Sequence, residues 1–326
     1  MKNLKLPPKT VVISCLATVG EVGIIIKESF TNQQINSVIC DENKIVPEFL
    51  YYYFKYSKPR LLKYSGSVYT NISKSKFADF EIEIPQDISE QKRIADILSA
   101  FDEKIELNNK INKTLEEMAQ AIFREWFINN KKFKIGSEKL SNLVDPQYGY
   151  TETASDKEIG PKFLRVKDIN KNDWIDWNAV PYCKISNKDF EKYRLKKGDI
   201  VIARMADPGK VGIIEQEVKA VFGSYLIRLS IKSEKVKPYY LYYYIKSPLY
   251  QNFIFGASTG TTRKSANARV LTDCYIIIPR KEALENFEKI AGDIRQKINS
   301  NLKENQTLAA FRDLLLPKLM SGEIRV

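Results

Sequence analysis

The sequence predicts an α+β chain in which two mixed α/β domains are each followed by a long helix, and the two helices pair along their seams. Three observations carry this. A stretch nearly free of Gly and Pro holds a narrow apolar seam, the seam recurs 193 positions later, and the segments ahead of both seams repeat in the same order.

The first seam steps alternately by four and three through Ile94, Leu98, Phe101, Ile105, Asn108, Asn112, Leu115, Ala119, Ile122 and Trp126. That spacing places one stripe on a single helix, as a coiled coil requires. Between Ile88 and Ser137 the only Gly or Pro is Gly136. At ~1.5 Å per residue, 94–126 would form a rod of roughly 50 Å. The second seam runs through Phe287, Ala291, Ile294, Ile298, Asn301, Asn305, Leu308, Arg312, Leu315 and Leu319. Both polar steps are Asn in both copies, and Asn at a seam fixes register at a cost in stability.

The repeat ahead of each helix begins with strand, Gly turn and strand. Val11-Val12-Ile13-Ser14-Cys15-Leu16-Ala17-Thr18-Val19-Gly20 aligns with Ile200-Val201-Ile202-Ala203-Arg204-Met205-Ala206-Asp207-Pro208-Gly209. The run Val11–Val19 after a basic start mimics a secretion signal. Its interior copy at 200–208 argues for a strand instead, and no run reaches the ~20 apolar residues of a membrane span. Next come two aromatic segments, Val46-Pro47-Glu48-Phe49-Leu50-Tyr51-Tyr52-Tyr53-Phe54 and Lys237-Pro238-Tyr239-Tyr240-Leu241-Tyr242-Tyr243-Tyr244-Ile245. Pro at the start and aromatics throughout read as short helices packed on a sheet. Base-stacking platforms are the competing use. A small polar loop follows in each copy, then a strand ending in Pro, Phe80–Pro85 and Tyr275–Pro279. The domains so defined are 1–87 and 138–280, with spacer helices at 88–137 and 281–326.

The copies are unequal. Met1 aligns near residue 190, so the first domain lacks the counterpart of roughly 138–190. A late start of the reading frame, a truncated gene, or a second chain supplying the part would each account for this.

Composition bounds the chemistry. The 326 residues carry a formal charge of +12 and no His, which removes imidazole as base or metal ligand. Residues 138–280 hold 24 Lys and Arg against 16 Asp and Glu, so +8 of the charge sits in one domain, as nucleic-acid binding would require. Cys15, Cys40, Cys183 and Cys274 are scattered without a C-x-x-C pair, and read as reduced core residues of a cytoplasmic protein.

Four stretches together resemble the DNA-specificity subunits of type I restriction–modification systems. They are Ser14–Gly20 with its copy, the strand ending in Pro before each helix, Ile88-Ser89-Glu90-Gln91-Lys92-Arg93-Ile94-Ala95, and Leu314-Leu315-Leu316-Pro317-Lys318-Leu319-Met320-Ser321-Gly322. The resemblance covers the whole chain. It implies two target-recognition domains on an antiparallel helix pair, each reading half of a bipartite target in double-stranded DNA. A ~50 Å separation exceeds one ~34–36 Å turn of B-DNA and implies a nonspecific spacer. The resemblance also implies that this chain is not catalytic and carries no cofactor. Adenine methyltransferase subunits would use S-adenosylmethionine and flip the base, and restriction/translocase subunits would use ATP and Mg.

Candidate DNA contacts in the second domain are Tyr148, Tyr150 and Thr151 around Gly149, then Arg165, Lys167, Arg204 and Lys210, then Ser258, Thr259, Thr261, Arg263 and Lys264 of the polar loop, and Arg269. In the first domain they are Ser67, Tyr69, Asn71 and Lys74. Lys and Arg suit phosphates, Arg suits guanine, and hydroxyls bond either. Two catalytic readings compete. Asp145-Pro146-Gln147-Tyr148 resembles the Asp-Pro-Pro-Tyr motif of adenine methyltransferases, although a turn before Gly149 accounts for it. Asp207 with Glu217-Val218-Lys219 is a loose Mg-nuclease pattern.

Overall fold

The computed structural model describes residues 5–16, 18–64, 72–257 and 265–326. The chain divides into two compact units, residues 1–111 with 300–326, and residues 112–299.

In the first unit, β1 (Val11–Ser14) lies between β2 (Val22–Ile24) and β3 (Ile35–Val38), antiparallel to both. Gly20 turns the chain between β1 and β2 at φ +85°, a conformation that strains any residue with a Cβ. The signal-like run is therefore a core strand, with Val11 and Ile13 buried. Helix α1 (Pro47–Tyr64) buries Phe49, Leu50, Tyr52, Tyr53 and Phe54 in the same core. Helix α2 (Lys74–Ala78) is capped by the Ser73 hydroxyl. The first long helix, α3 (Ile88–Phe123), adds Ile94, Ala95 and Leu98, and Leu319 closes the cluster. The strand expected over Phe80–Pro85 is absent. Its alternating exposure is strand-like, but no described strand lies beside it to form a ladder.

The second unit contains β4 (Lys134–Lys139), α4 (Leu140–Leu143), β5 (Val144–Tyr148), β6 (Lys162–Leu164), α5 (Val166–Asn170) and α6 (Asn187–Tyr193). There follow β7 (Ile200–Ala203), β8 (Val211–Ile213), β9 (Ala220–Phe222), β10 (Leu226–Ile231), α7 (Pro238–Lys246), α8 (Pro248–Ala257), α9 (Ala268–Thr272) and β11 (Tyr275–Pro279). A four-stranded sheet runs β5-β10-β7-β8, while β11 pairs with β4 and β6 with β9. The aromatic run of α7 is core: Tyr240, Tyr243 and Tyr244 pack with Phe123, Phe127 and Phe287. Base stacking by those rings is thereby excluded.

The second long helix, α10, spans Lys281–Met320. The first is shorter than the 88–137 expected. It ends as α-helix at Phe123, widens into a π turn over Arg124–Asn129, and the chain enters β4 at Lys134. Pairing with β11 overrides the helical propensity there, and Gly136 sits inside that strand.

The buried line on α3 also departs from the expected seam. After Asn112 it passes through Glu116, Ala119, Phe123 and Phe127, whereas Leu115, Ile122 and Trp126 are only partly buried. On α10 it takes Arg295 in place of Ile294. A 3.5-residue repeat drifts by ~20° per heptad against a straight helix, so extending it rigidly lands one residue off.

Two polar networks tie each unit's tyrosine helix to the long helices, and they correspond through the repeat. In the first unit, Asp102 of α3 accepts from the Tyr52 hydroxyl at 2.7 Å, lies 3.9 Å from the Lys55 ammonium and pairs with Arg312 of α10. In the second, Glu116 of α3 accepts from the Tyr243 hydroxyl at 2.9 Å, from Lys246 at 2.6 Å and from Arg295 of α10 at 2.8 Å. Arg295 also forks onto Glu215 at 2.8 and 2.7 Å and donates to the Asp173 carbonyl at 2.9 Å. Burial alone would push the Glu116 carboxyl up, but Lys246 and Arg295 outweigh it and hold it below the ordinary value.

Within the first unit, Asn108 of α3 donates to Asn305 at 2.8 Å and to Glu304 at 2.9 Å. Its contact is thus Asn305, the repeat counterpart of Asn112, as antiparallel helices require. Asn108→Leu alone leaves Asn305 and Glu304 facing a methyl group, and should cost ~1–3 kcal/mol. Asn108→Leu with Asn305→Leu should recover most of that loss, measured by thermal unfolding. Additive destabilisation by the two substitutions would show that the residues act independently of each other.

Candidate nucleic-acid interface

The rim of the four-stranded sheet is assembled from four chain segments. Gly149 follows β5 and lies against the Gly223 backbone, where a Cβ would come within 2.2 Å of the carbonyl oxygen. Only glycine lets the chain cross there, and Tyr148 and Tyr150 are placed on either side of the crossing. Tyr148 is exposed. Its hydroxyl accepts from the Ala268 N–H at the start of α9 at 3.0 Å, and its ring carries the Arg204 guanidinium at 5.1 Å from the centroid. Arg204, just beyond β7, is half-buried. Its Nη1 reaches the Ser224 carbonyl at 3.5 Å, and its Nε is buried without a hydrogen-bond partner among the described residues. Met205 bridges Ser265, and the Ala266 N–H donates to the Arg204 carbonyl at 2.8 Å. Tyr148, Arg204 and α9 with the exposed Arg269 therefore share one rim.

The other candidates are placed differently. Tyr150 packs on Tyr193 with centroids 5.3 Å apart and is partly buried, while Thr151 beyond it is exposed. Arg165 is held by Asp168, its Nε and Nη2 donating at 2.9 and 3.0 Å, so its side chain caps α5. Lys167 is exposed on α5. Lys210 is exposed beside Gly209 on a cleft shared with Lys171 and Asn172. Lys74 is exposed at the start of α2. Ser258, Thr259, Thr261, Arg263, Lys264, Ser67, Tyr69 and Asn71 lie outside the described residues.

Sequence reasoning missed Tyr225. Its ring is 54% exposed between β9 and β10, and its carbonyl accepts from the Arg204 N–H at 2.9 Å, which puts it on the same rim. The signal was present in Gly223-Ser224-Tyr225, a turn between two apolar strands.

The competing motifs are spent on structure. Asp145–Tyr148 is part of β5 rather than the expected turn, with Asp145 paired to Lys232 at 3.0 Å and Gln147 bonded to Arg228. Among the described residues, no three of His, Cys, Asp and Glu are grouped as a metal site. No described helix is long and apolar enough to cross a membrane.

Comparison with known proteins agrees with this architecture. The family described as type I restriction modification DNA specificity domain matches twice, over residues 1–117 and 151–307. The specificity subunit of the type I restriction enzyme MjaIX from Methanocaldococcus jannaschii is 28% identical, the alignment covering 99% of this chain and 80% of that one. The HindI specificity subunit of Haemophilus influenzae is 25% identical over 86% of this chain and 78% of its own. The crystal structure of the S subunit of a type I restriction–modification system from M. genitalium covers 96% of this chain and 83% of that chain. Its TM-score is 0.58 at 17% identity, a likeness of fold. With two matches spanning most of its length, the chain belongs to the family of type I restriction–modification DNA specificity domains.

Proposed function

We propose that this chain is the sequence-reading subunit of a type I restriction–modification assembly, working in the cytoplasm on double-stranded DNA. Each unit reads one half of a bipartite target. The observation that supports this is the repeat: both copies join a sheet with a Gly turn and an aromatic core helix to one of two long helices, and the family matches both. Tyr148, Arg204, Tyr225 and Arg269 are the reading rim of the second unit. Lys167, Lys210 and Lys74 are phosphate contacts, since each is exposed and bears a lone positive charge. Thr151, Tyr150 and the loop residues Ser258, Thr259, Thr261, Arg263 and Lys264 complete that side, and Ser67, Tyr69 and Asn71 belong to the first half-site. Arg165 acts by capping α5.

Chemistry belongs to partners. Adenine methyltransferase subunits would bring S-adenosylmethionine, and restriction/translocase subunits ATP and Mg. A methylation map of the host genome tests the reading directly. One bipartite adenine motif should vanish when the gene is deleted, and an unchanged map would refute it.

Binding should also be salt-sensitive. With 6–10 phosphate contacts, affinity should fall ~10³–10⁵-fold between 50 and 200 mM salt. Lys210→Ala should reduce the log–log salt slope by about one for every DNA sequence, whereas Arg269→Ala should cost ~1–3 kcal/mol on the cognate target alone. Retardation titrations across a salt series separate the two. A flat salt response would count against the basic rim.

A further inference from the structure

One element of the second unit closes two edges at once. β4 pairs with β11 through Ile276↔Glu138 and Ile278↔Gly136, and β5 pairs with β10 through Ile227↔Tyr148 and Leu229↔Pro146. Between them, α4 buries Leu140 and Leu143 completely.

The first unit has both acceptor edges. β3 corresponds to β10, since Val38 faces Val11 on β1 as Leu229 faces Ile200 on β7. The Leu226 carbonyl accepts from the Gly149 N–H at 3.2 Å, so alternate residues from Leu226 point toward β5, Arg228 among them. The counterpart of Arg228 is Ser37. Residues 81–85 correspond to β11. The Glu83 N–H donates to the Tyr53 hydroxyl at 3.1 Å, as the Ile277 N–H does to that of Tyr244. That bond leaves Ile82 and Ile84 facing the side where β4 lies in the second unit.

Among the described residues nothing pairs with the outer side of β3 or with the backbone of Ile82 and Ile84. Burial agrees. Leu226, Ile227, Leu229, Ile276 and Ile278 are buried, whereas β3, Ile82 and Ile84 are only half-buried. Ile39, next along the chain from β3, is 55% exposed.

We propose that the first unit receives, on these two edges, a strand–turn–strand segment of a second polypeptide chain built like Lys134–Tyr148. Backbone pairing on both edges would provide the affinity, and buried apolar side chains in the connecting turn the specificity. The first strand of the segment is basic. Glu81 and Glu83 are exposed, and Glu81 stands where Tyr275 faces Lys139 in the second unit, so opposite charge there favours pairing. This goes beyond the reading of DNA and does not depend on it.

The probe is a synthetic peptide of residues 131–150 added to the full chain. Saturable binding should slow hydrogen exchange at least tenfold at Ser37, Ile82 and Ile84, with 226–231 and 275–279 unchanged. Slowing confined to the second unit would mean strand displacement there and would overturn the proposal. A second measurement removes dependence on peptide affinity. The same segment, joined ahead of Met1 by a flexible linker, should raise the melting temperature of the first unit. Ser37→Pro in that fusion should abolish the gain, because proline cannot donate to a ladder. No gain on fusion, with no slowing at the three amides, would also overturn it. Neither readout uses DNA, so it fails or stands apart from the proposed function.

Discussion

Arg295→Met will destabilise the second unit by ~3–5 kcal/mol, because it removes one partner from a buried charge network and leaves the others in place. Arg295 is 1% exposed and is shared between Glu116 and Glu215, both nearly inaccessible. In the variant Lys246 still meets Glu116, but Glu215 loses its fork and the Asp173 carbonyl its donor. For a unit of this size the loss corresponds to a fall of roughly 6–20 °C in melting temperature. The pH dependence identifies the cause. In the wild type Glu116 is held below its ordinary value of 4.5. Its contribution is therefore full above that pH and is lost as pH falls through the lower native value. In the variant the uncompensated carboxyls shift upward and take up protons more readily when folded, so the penalty should shrink between pH 7 and pH 4. Calorimetry at several pH values decides this. A melting temperature within 2 °C of wild type, or a penalty independent of pH, would show that the network contributes little.

Exchanging residues 138–280 for the matching segment of a relative will change one half of the methylated motif and keep the other half and the spacer. The cuts fall after Lys134 and near Pro279, and these two residues are register partners at one end of the β4–β11 ribbon. The segment therefore enters and leaves at one place, outside the long helices. It carries Tyr148, Arg204, Tyr225 and Arg269 with it. Each good bidentate base contact discriminates by ~1–3 kcal/mol, so a few replaced side chains suffice to switch a half-site. The donor must also bring a Tyr and a Lys in place of Tyr243 and Lys246, because Glu116 and Arg295 stay behind. A chimera lacking that pair should be recovered poorly whatever its recognition. Methylation sequencing gives the outcome. Retention of the original motif with both halves intact would refute this segment as a reader.

Much of the architecture was legible because repeated pattern is a global signal. The strand–Gly turn–strand units, the aromatic helices and the long helices all follow from period and order. What escaped depended on partners. Phe80–Pro85 has the alternation of a strand, but a ladder needs a neighbour, and sequence pattern does not report whether one is present. Glu116 and Arg295 sit one position off the apolar seam, so periodicity placed them in solvent. Only the fold reveals that each satisfies the other. Arg165 was legible as a cation but not as a cap, because its bond to Asp168 depends on local helix geometry. Tyr225 was overlooked because a single aromatic in a turn carries no period.

The two networks on the long helices have an evolutionary consequence. Both carboxylates, Asp102 and Glu116, belong to α3, and both arginines, Arg295 and Arg312, to α10. Applied to two identical helices, the same antiparallel register sets Asp102 against Glu116, or Arg295 against Arg312. Each self-pair thus confronts like charges. After the duplication recorded in the 193-residue offset, the copies diverged into complementary halves, and neither retains the capacity to mate with itself. Homologous recombination that collapses the gene to a single copy would leave a helix without a congenial twin. The duplication has become hard to reverse, fixed by the sign of four side chains.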